Sequence, residues 1–274
     1  MKRPFAILLW GAALVALVFL TVPLVAIFLK LTPATLVDAL SSQVAKDALR
    51  VTAATTLVAQ LAIVLVGTPA AYLLATRRFR GRALVVTLVE LPLVLPPAVA
   101  GIALLSTFGR LGILGGTVSA LGLEIAFTRV AVVLAMIFVA GPFFLRSAIA
   151  AFEAVDGRLL DASRTLGAGP GRTFVRVALP LAAGGLGAGL ALSFARGIGE
   201  FGATIMFAGS LQGVTQTLSL ALYEQFDADF DIAVALGAEL ILVSAAVLLA
   251  VKVVPSWRNS DSLSLNPFAR STSS

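Results

Sequence analysis

From Glu153 to Gly185 the chain reads EAVDGRLLDASRTLGAGPGRTFVRVALPLAAGG. The first part is a polar, arginine-bearing segment, predicted helical from about Gly157 to Leu166. Gly167 is placed to end it, because glycine enters the left-handed region without steric cost. Pro170 and Gly171 make a turn. A second short amphipathic stretch, Thr173 to Leu179, leads to Pro180, which is expected to open the next helix as a first-turn proline. The expected product is a helix–turn–helix too polar to enter lipid. On both sides of it the sequence becomes almost wholly apolar.

That contrast decides the class. Hydrophobic residues make up 59% of the 274 residues and charged ones 12%, against roughly 45–50% and 25% in soluble domains. Mean hydropathy is +1.03. A soluble protein of this size lacks the residues for a polar surface here, and a polytopic all-α membrane protein remains. Apolar residues run all round each segment without strand-like alternation, which argues against a membrane barrel. A helical span needs about 20 mostly apolar residues. Six such stretches are predicted, over about 5–29, 51–75, 83–108, 130–150, 181–207 and 232–254. The first is too long for the ~7–15-residue core of a signal peptide and is read as an uncleaved span. The organisation expected is a first span and external loop (1–50), a five-span core (51–254) holding the loop at 153–180, and a polar, disordered tail (255–274).

The charges sort by side. The termini, the loops at 76–82 and 151–180 and the span ends beside them (Arg146, Lys252) carry 14 basic residues, and the opposite side carries 5. That bias places both termini and the 153–180 loop in the cytoplasm, and the even span count agrees. The Arg77–Arg82 cluster is read as a lipid-headgroup and topology anchor.

Absences narrow the chemistry. The chain has no Cys and no His, which removes thiolate and HExxH metal sites, haem ligation and Ser–His–Asp catalysis. No metal or catalytic residue is expected. There is no GxxxxGK[ST] loop, so any ATP and Mg would be held by a partner subunit. The +6 net charge is topological rather than a sign of nucleic acid.

Two intramembrane features stand out. Pro96 and Pro97 should kink or break the third span. In the fifth span Arg196 and Glu200, at i,i+4, can pair on one face, flanked by Gly197, Gly199, Gly202 and Thr204. The bland reading is a buried pair that fixes packing. The functional one puts it beside a translocation path, where Arg196 could meet an anion. Glu90 and Glu239 stay open between interface and partner charge.

The spacing of the opening stretch resembles the EAA motif of ABC-importer permeases: Glu-Ala-Ala, three residues, Gly, nine residues, Ile, any residue, Leu-Pro. Here Asp161-Ala162-Ser163 stands first, Gly167 follows, and Val177, Leu179 and Pro180 close it. Asp, Ser and Val are conservative departures at three positions. The resemblance implies a coupling helix that docks on an ATPase subunit, with Leu166 as an apolar anchor. Leu91-Pro92-Leu93-Val94-Leu95-Pro96-Pro97 with Val99-Ala100-Gly101 looks like the PLVLPP-x-V-A-G signature of molybdate-type permeases. Phe194-Ala195-Arg196 with Gly199-Glu200-Phe201-Gly202-Ala203-Thr204 resembles the same family's FAR-x-x-GEFGAT stretch. Sulfate and thiosulfate permeases share the outline but typically read GEYGS there.

The resemblance therefore implies an ABC type I importer permease in the cell membrane, taking molybdate or tungstate. It also implies a homodimer, two ABC ATPase subunits and an extracytoplasmic oxyanion-binding protein. Pro96, Pro97, Arg196, Gly199, Glu200, Gly202 and Thr204 are the path candidates. A sulfate or thiosulfate permease, an ATP-independent secondary transporter and a membrane enzyme are the rivals.

Overall fold

A computed structural model describes residues 3–263, and every regular element among them is helical. The helices are α1 (Arg3–Lys30), α2 (Pro33–Ser41), α3 (Gln43–Thr76), α4 (Arg82–Glu90), α5 (Pro97–Phe108), α6 (Gly115–Ala120), α7 (Arg129–Glu153), α8 (Gly157–Thr165), α9 (Pro170–Thr173), α10 (Leu179–Ile198), α11 (Gly202–Ala208), α12 (Leu218–Ala228) and α13 (Phe230–Leu263). Five are long and apolar enough to cross a membrane, counting α9 and α10 as one continuous helix, and the bent pair α4–α5 supplies a sixth if it is one span.

α7 is the centre of the bundle. Ala131, Ala135, Val139 and Pro142 recur along one face, Ala140, Phe144 and Ala148 along another, and all are buried. The order of its contacts gives the directions. Gly67 of α3 lies under the Phe144 ring and Tyr72 meets Phe152 edge-on, so α3 runs parallel to α7. On α10, Gly185 meets Ala151 and Gly197 meets Ala140, so α10 runs antiparallel. Lipid tails are as apolar as leucine, so close van der Waals packing between small residues drives such contacts. None of the apolar stretch of α1 is buried by the rest of the chain.

The structure corrects five boundaries. The second span begins at Gln43, where Ser42 Oγ accepts from Ala45 N and caps the helix. The third is not one helix. A 3₁₀ turn at Leu91–Leu93 ends α4, and α5 restarts at Pro97 after a 112° bend. Proline is well suited to a first helical turn, where its missing N–H has no partner to lose. The fifth span breaks as well: α10 stops at Ile198 and α11 starts at Gly202.

Pro180 does stand in the first turn of α10, but α10 is not where the helical axis begins. The helix starts at Pro170 and runs continuously to Ile198. A π segment at Phe174–Ala178, with Leu179 N donating to Phe174 O, ends one residue short of Pro180. The wider turn relaxes the ladder where a proline removes a donor and crowds the carbonyl four residues back. α13 extends past Val254 to Leu263. The remainder of the expected tail, 264–274, lies outside the described residues.

Candidate functional site

The two path stretches meet. α5 lies along α11, and glycines on each helix make the approach possible. A Cβ on Gly202 would sit 2.7 Å from Pro97 Cβ, and one on Gly101 would sit 2.7 Å from both Ala203 O and Met206 Cβ. Both distances are below any ordinary contact. Pro96 caps α5 and Pro97 occupies its first turn, so the break in the third span faces the break in the fifth.

Gly101→Val is therefore expected to force α5 off α11. Overpacking costs ~1–3 kcal/mol and more where backbone must move. The thermal midpoint of the purified permease should fall, whereas Gly187→Ala, with nothing within 4 Å of the added methyl, should leave it unchanged or slightly raised.

Glu200 sits in the second break and is 1% exposed. Its Oε2 lies 2.7 Å from Arg196 Nη1. Its Oε1 accepts from Ala203 N at 2.7 Å, capping α11. The pairing read from the sequence is present, but the spacing crosses a helix end rather than one continuous turn. Gly199 is exposed, and Thr204 is fully buried in α11. Phe201 stacks on Tyr223 of α12, their centroids 4.7 Å apart. Gly197 lies level with Ala140 and Gln60, near the middle of α7 and α3.

At the far end of the bundle α8 stands on the ends of α3 and α7. Asp156 caps it, its Oδ1 accepting from Arg158 N at 2.9 Å. Gly167 ends it at φ +83°. Ala168 N bonds Ser163 O and Gly167 N bonds Arg164 O, the two bonds of a Schellman cap. The Ser163 and Thr173 hydroxyls, 3.1 Å apart, tie α8 to the helix that follows.

α8 has two faces. Leu159, Ala162 and Leu166 turn outward, and Leu166 is 88% exposed. Gly157, Leu160, Asp161 and Arg164 turn toward the bundle and line a groove. Asp161 is on that inner face, bonded to Arg164 at 3.0 Å. Val177 and Leu179 are partly buried against the cluster around Phe152 and Leu160. Thus the motif residues divide. Ala162, Leu166 and Gly167 are presented outward, while Val177, Leu179 and Pro180 belong to the wall of the bundle.

Some structural roles were not visible in the sequence. Arg82, grouped with headgroup anchors, is instead a latch. Its Nε donates to Leu74 O at 2.6 Å and its guanidinium pairs with Glu153, so it joins the ends of α3 and α7 to the start of α4. Glu90 finds its partner in Arg146, 3.7 Å away. Thr52 Oγ1 accepts from Leu218 N at 2.8 Å and holds the start of α12. A polar residue on an apolar helix was the available signal for Thr52, but its partner lies 166 residues away.

Residues 63–257 match the family described as binding-protein-dependent transport system inner membrane component. The molybdenum transport system permease protein ModB of Mycobacterium tuberculosis is 43% identical over 239 residues, 87% of this chain and 90% of that one. A probable sulfate transport system permease protein, cysT of Nephroselmis olivacea, is 32% identical over 212 residues, 77% of this chain and 75% of its own. Among solved structures, a bacterial ABC transporter involved in import of the acidic polysaccharide alginate superposes with a TM-score of 0.72 at 16% identity, covering 92% of this chain and 94% of that one. At that identity the likeness concerns the fold. With its long apolar helices, the chain is a multi-pass inner-membrane protein and belongs to the binding-protein-dependent transport system inner membrane components, the permeases of ABC importers.

Proposed function

We propose that this chain is the permease subunit of an ATP-driven importer of a tetrahedral oxyanion, molybdate or tungstate. The observation that carries this reading is the 43% identity to a molybdenum permease across 87% of the chain. The direct packing of the two signature stretches, at Pro97–Gly202 and Gly101–Ala203, supports it. Two copies form one pathway between them. Two ABC ATPase subunits, which hold ATP and Mg, lie on the cytoplasmic side with both termini and α8. An extracytoplasmic binding protein delivers the anion.

In this reading the outward face of α8 is the docking surface and the rest of the chain is the transmission. Movement of α8 reaches Glu153, at the end of α7, and through Arg82 the start of α4. The bend before Pro97 is a hinge, so α4 can tilt while α5 moves with α11. The Arg196–Glu200 pair holds the broken fifth span in register rather than binding cargo. Arg196 already has a counter-charge and Glu200 repels an anion. Selectivity then rests with the binding protein, because a pathway must release what it carries.

Proteoliposomes separate this from an ATP-independent transporter. With the ATPase and ATP inside and the binding protein outside, radiolabelled molybdate should accumulate, and permease alone should carry none. Flux through the permease alone would overturn coupling. The second reading, sulfate or thiosulfate transport, has the 32% identical relative in its favour.

A further inference from the structure

The inner face of α8 carries a second chemistry. It closes one side of a groove of about 690 Å³. Arg78, Arg82 and Arg164 line the groove over an apolar floor of Phe152, Val155 and Leu160. Its two carboxylates are already engaged, Glu153 by Arg82 and Asp161 by Arg164. Arg78 has no carboxylate within 4.0 Å among the described residues. An adjoining hollow of about 350 Å³, lined by Tyr72, Thr76, Arg77, Arg164 and Pro170, shares Thr76 and Arg164 with it. Across the joined surface four arginines face two carboxylates, so it has positive charge to spare. α3 ends at Thr76 and α7 at Glu153, so the groove lies where both spans leave the apolar layer.

We propose that this groove binds a phosphate group, held first by Arg78 on the α3–α4 linker and then by Arg164 on α8, whose exposed pair with Asp161 leaves guanidinium N–H groups to share. Guanidinium forks match the geometry of phosphate oxygens. The apolar floor beside them suits the glycerol end of an anionic lipid, and the cytoplasmic leaflet supplies such lipids. Placing it in that leaflet rests on the orientation proposed above. A bound headgroup would tie α8 to the span ends on the side away from the ATPase, setting how stiffly docking is transmitted.

The test uses the assembled transporter in nanodiscs, either neutral phosphatidylcholine, the same with one part in five spin-labelled phosphatidylglycerol, or neutral with millimolar inorganic phosphate. The expected result is a motionally restricted phosphatidylglycerol population that falls severalfold with Arg78→Gln or Arg164→Gln and persists with Arg80→Gln, a neighbour outside the groove. Thermal protection by inorganic phosphate, lost with Arg78→Gln, would support the same site with a free anion as its source. Equal losses with Arg78→Gln and Arg80→Gln would reduce the effect to diffuse surface charge and overturn the proposal, as would no change with either groove variant. ATPase docking is read separately through the outward face of α8. Its failure would sink the functional reading and leave the groove's binding intact.

Discussion

Glu200→Ala is expected to destabilise the permease far more than the loss of a single helix cap would. The carboxylate does two jobs at once. It caps α11 through Ala203 N and neutralises Arg196 at 2.7 Å, while itself only 1% exposed. Losing a helix cap costs ~1 kcal/mol. Removing one member of a buried pair costs ~3–5 kcal/mol, because the other charge is left behind. The Arg196 side chain is 29% exposed, which lets it find some water and puts the total near the lower end, about 3 kcal/mol.

Glu200→Gln keeps an acceptor for Ala203 N and should cost roughly half as much. Arg196→Met combined with Glu200→Gln removes the stranded charge and should recover part of the loss. Thermal midpoints of the purified proteins give this ranking. A Glu200→Ala protein as stable as the parent would mean that the second break is not held by this residue.

Leu159→Asp with Leu166→Asp is expected to abolish ATP-driven uptake without weakening the fold. Both side chains are exposed, at 48% and 88%, on the outward face of α8, so the bundle loses little by their replacement. At an interface each is an apolar anchor, and truncating such anchors costs ~2 kcal/mol or more. Together they should weaken docking by about 4 kcal/mol, roughly a thousandfold in affinity. Co-purification of the ATPase subunit and uptake into proteoliposomes should both fall to background, with the thermal midpoint of the permease alone unchanged. An ATPase that still co-purifies would put the docking surface elsewhere.

How far the sequence was legible follows from how local each signal is. Gly167 ends α8 as expected, since a left-handed glycine after a polar helix is a local matter. The break at Pro96-Pro97 was readable because proline removes a donor wherever it stands. The break at Gly199–Phe201 was not. That stretch holds no proline, and a glutamate four residues after an arginine fits a continuous helix just as well. What stops α10 is tertiary, because a helix restarting at Gly202 can lie on Pro97 and Gly101 of α5. The start of α13 carries a local signal in Asp229, a cap-type residue whose Oδ1 accepts from Asp231 N and Ile232 N. Hydropathy over a window of ~20 residues blurs a hairpin of this kind. The motif residues Val177 and Leu179 were grouped by spacing with Leu166, yet they face the bundle. Spacing along a chain does not distinguish outward from inward once a π segment shifts the helical phase.

The central claim is that α8 couples ATP hydrolysis in a partner to passage of a molybdate-class anion through this chain. ATP hydrolysis by the reconstituted permease–ATPase complex with its binding protein tests it most directly, with molybdate, tungstate and sulfate compared at matched concentrations. Stimulation by molybdate and tungstate and little by sulfate is expected, lost in each case with Leu159→Asp and Leu166→Asp. Stimulation by sulfate alone, or hydrolysis indifferent to all three anions, would contradict it.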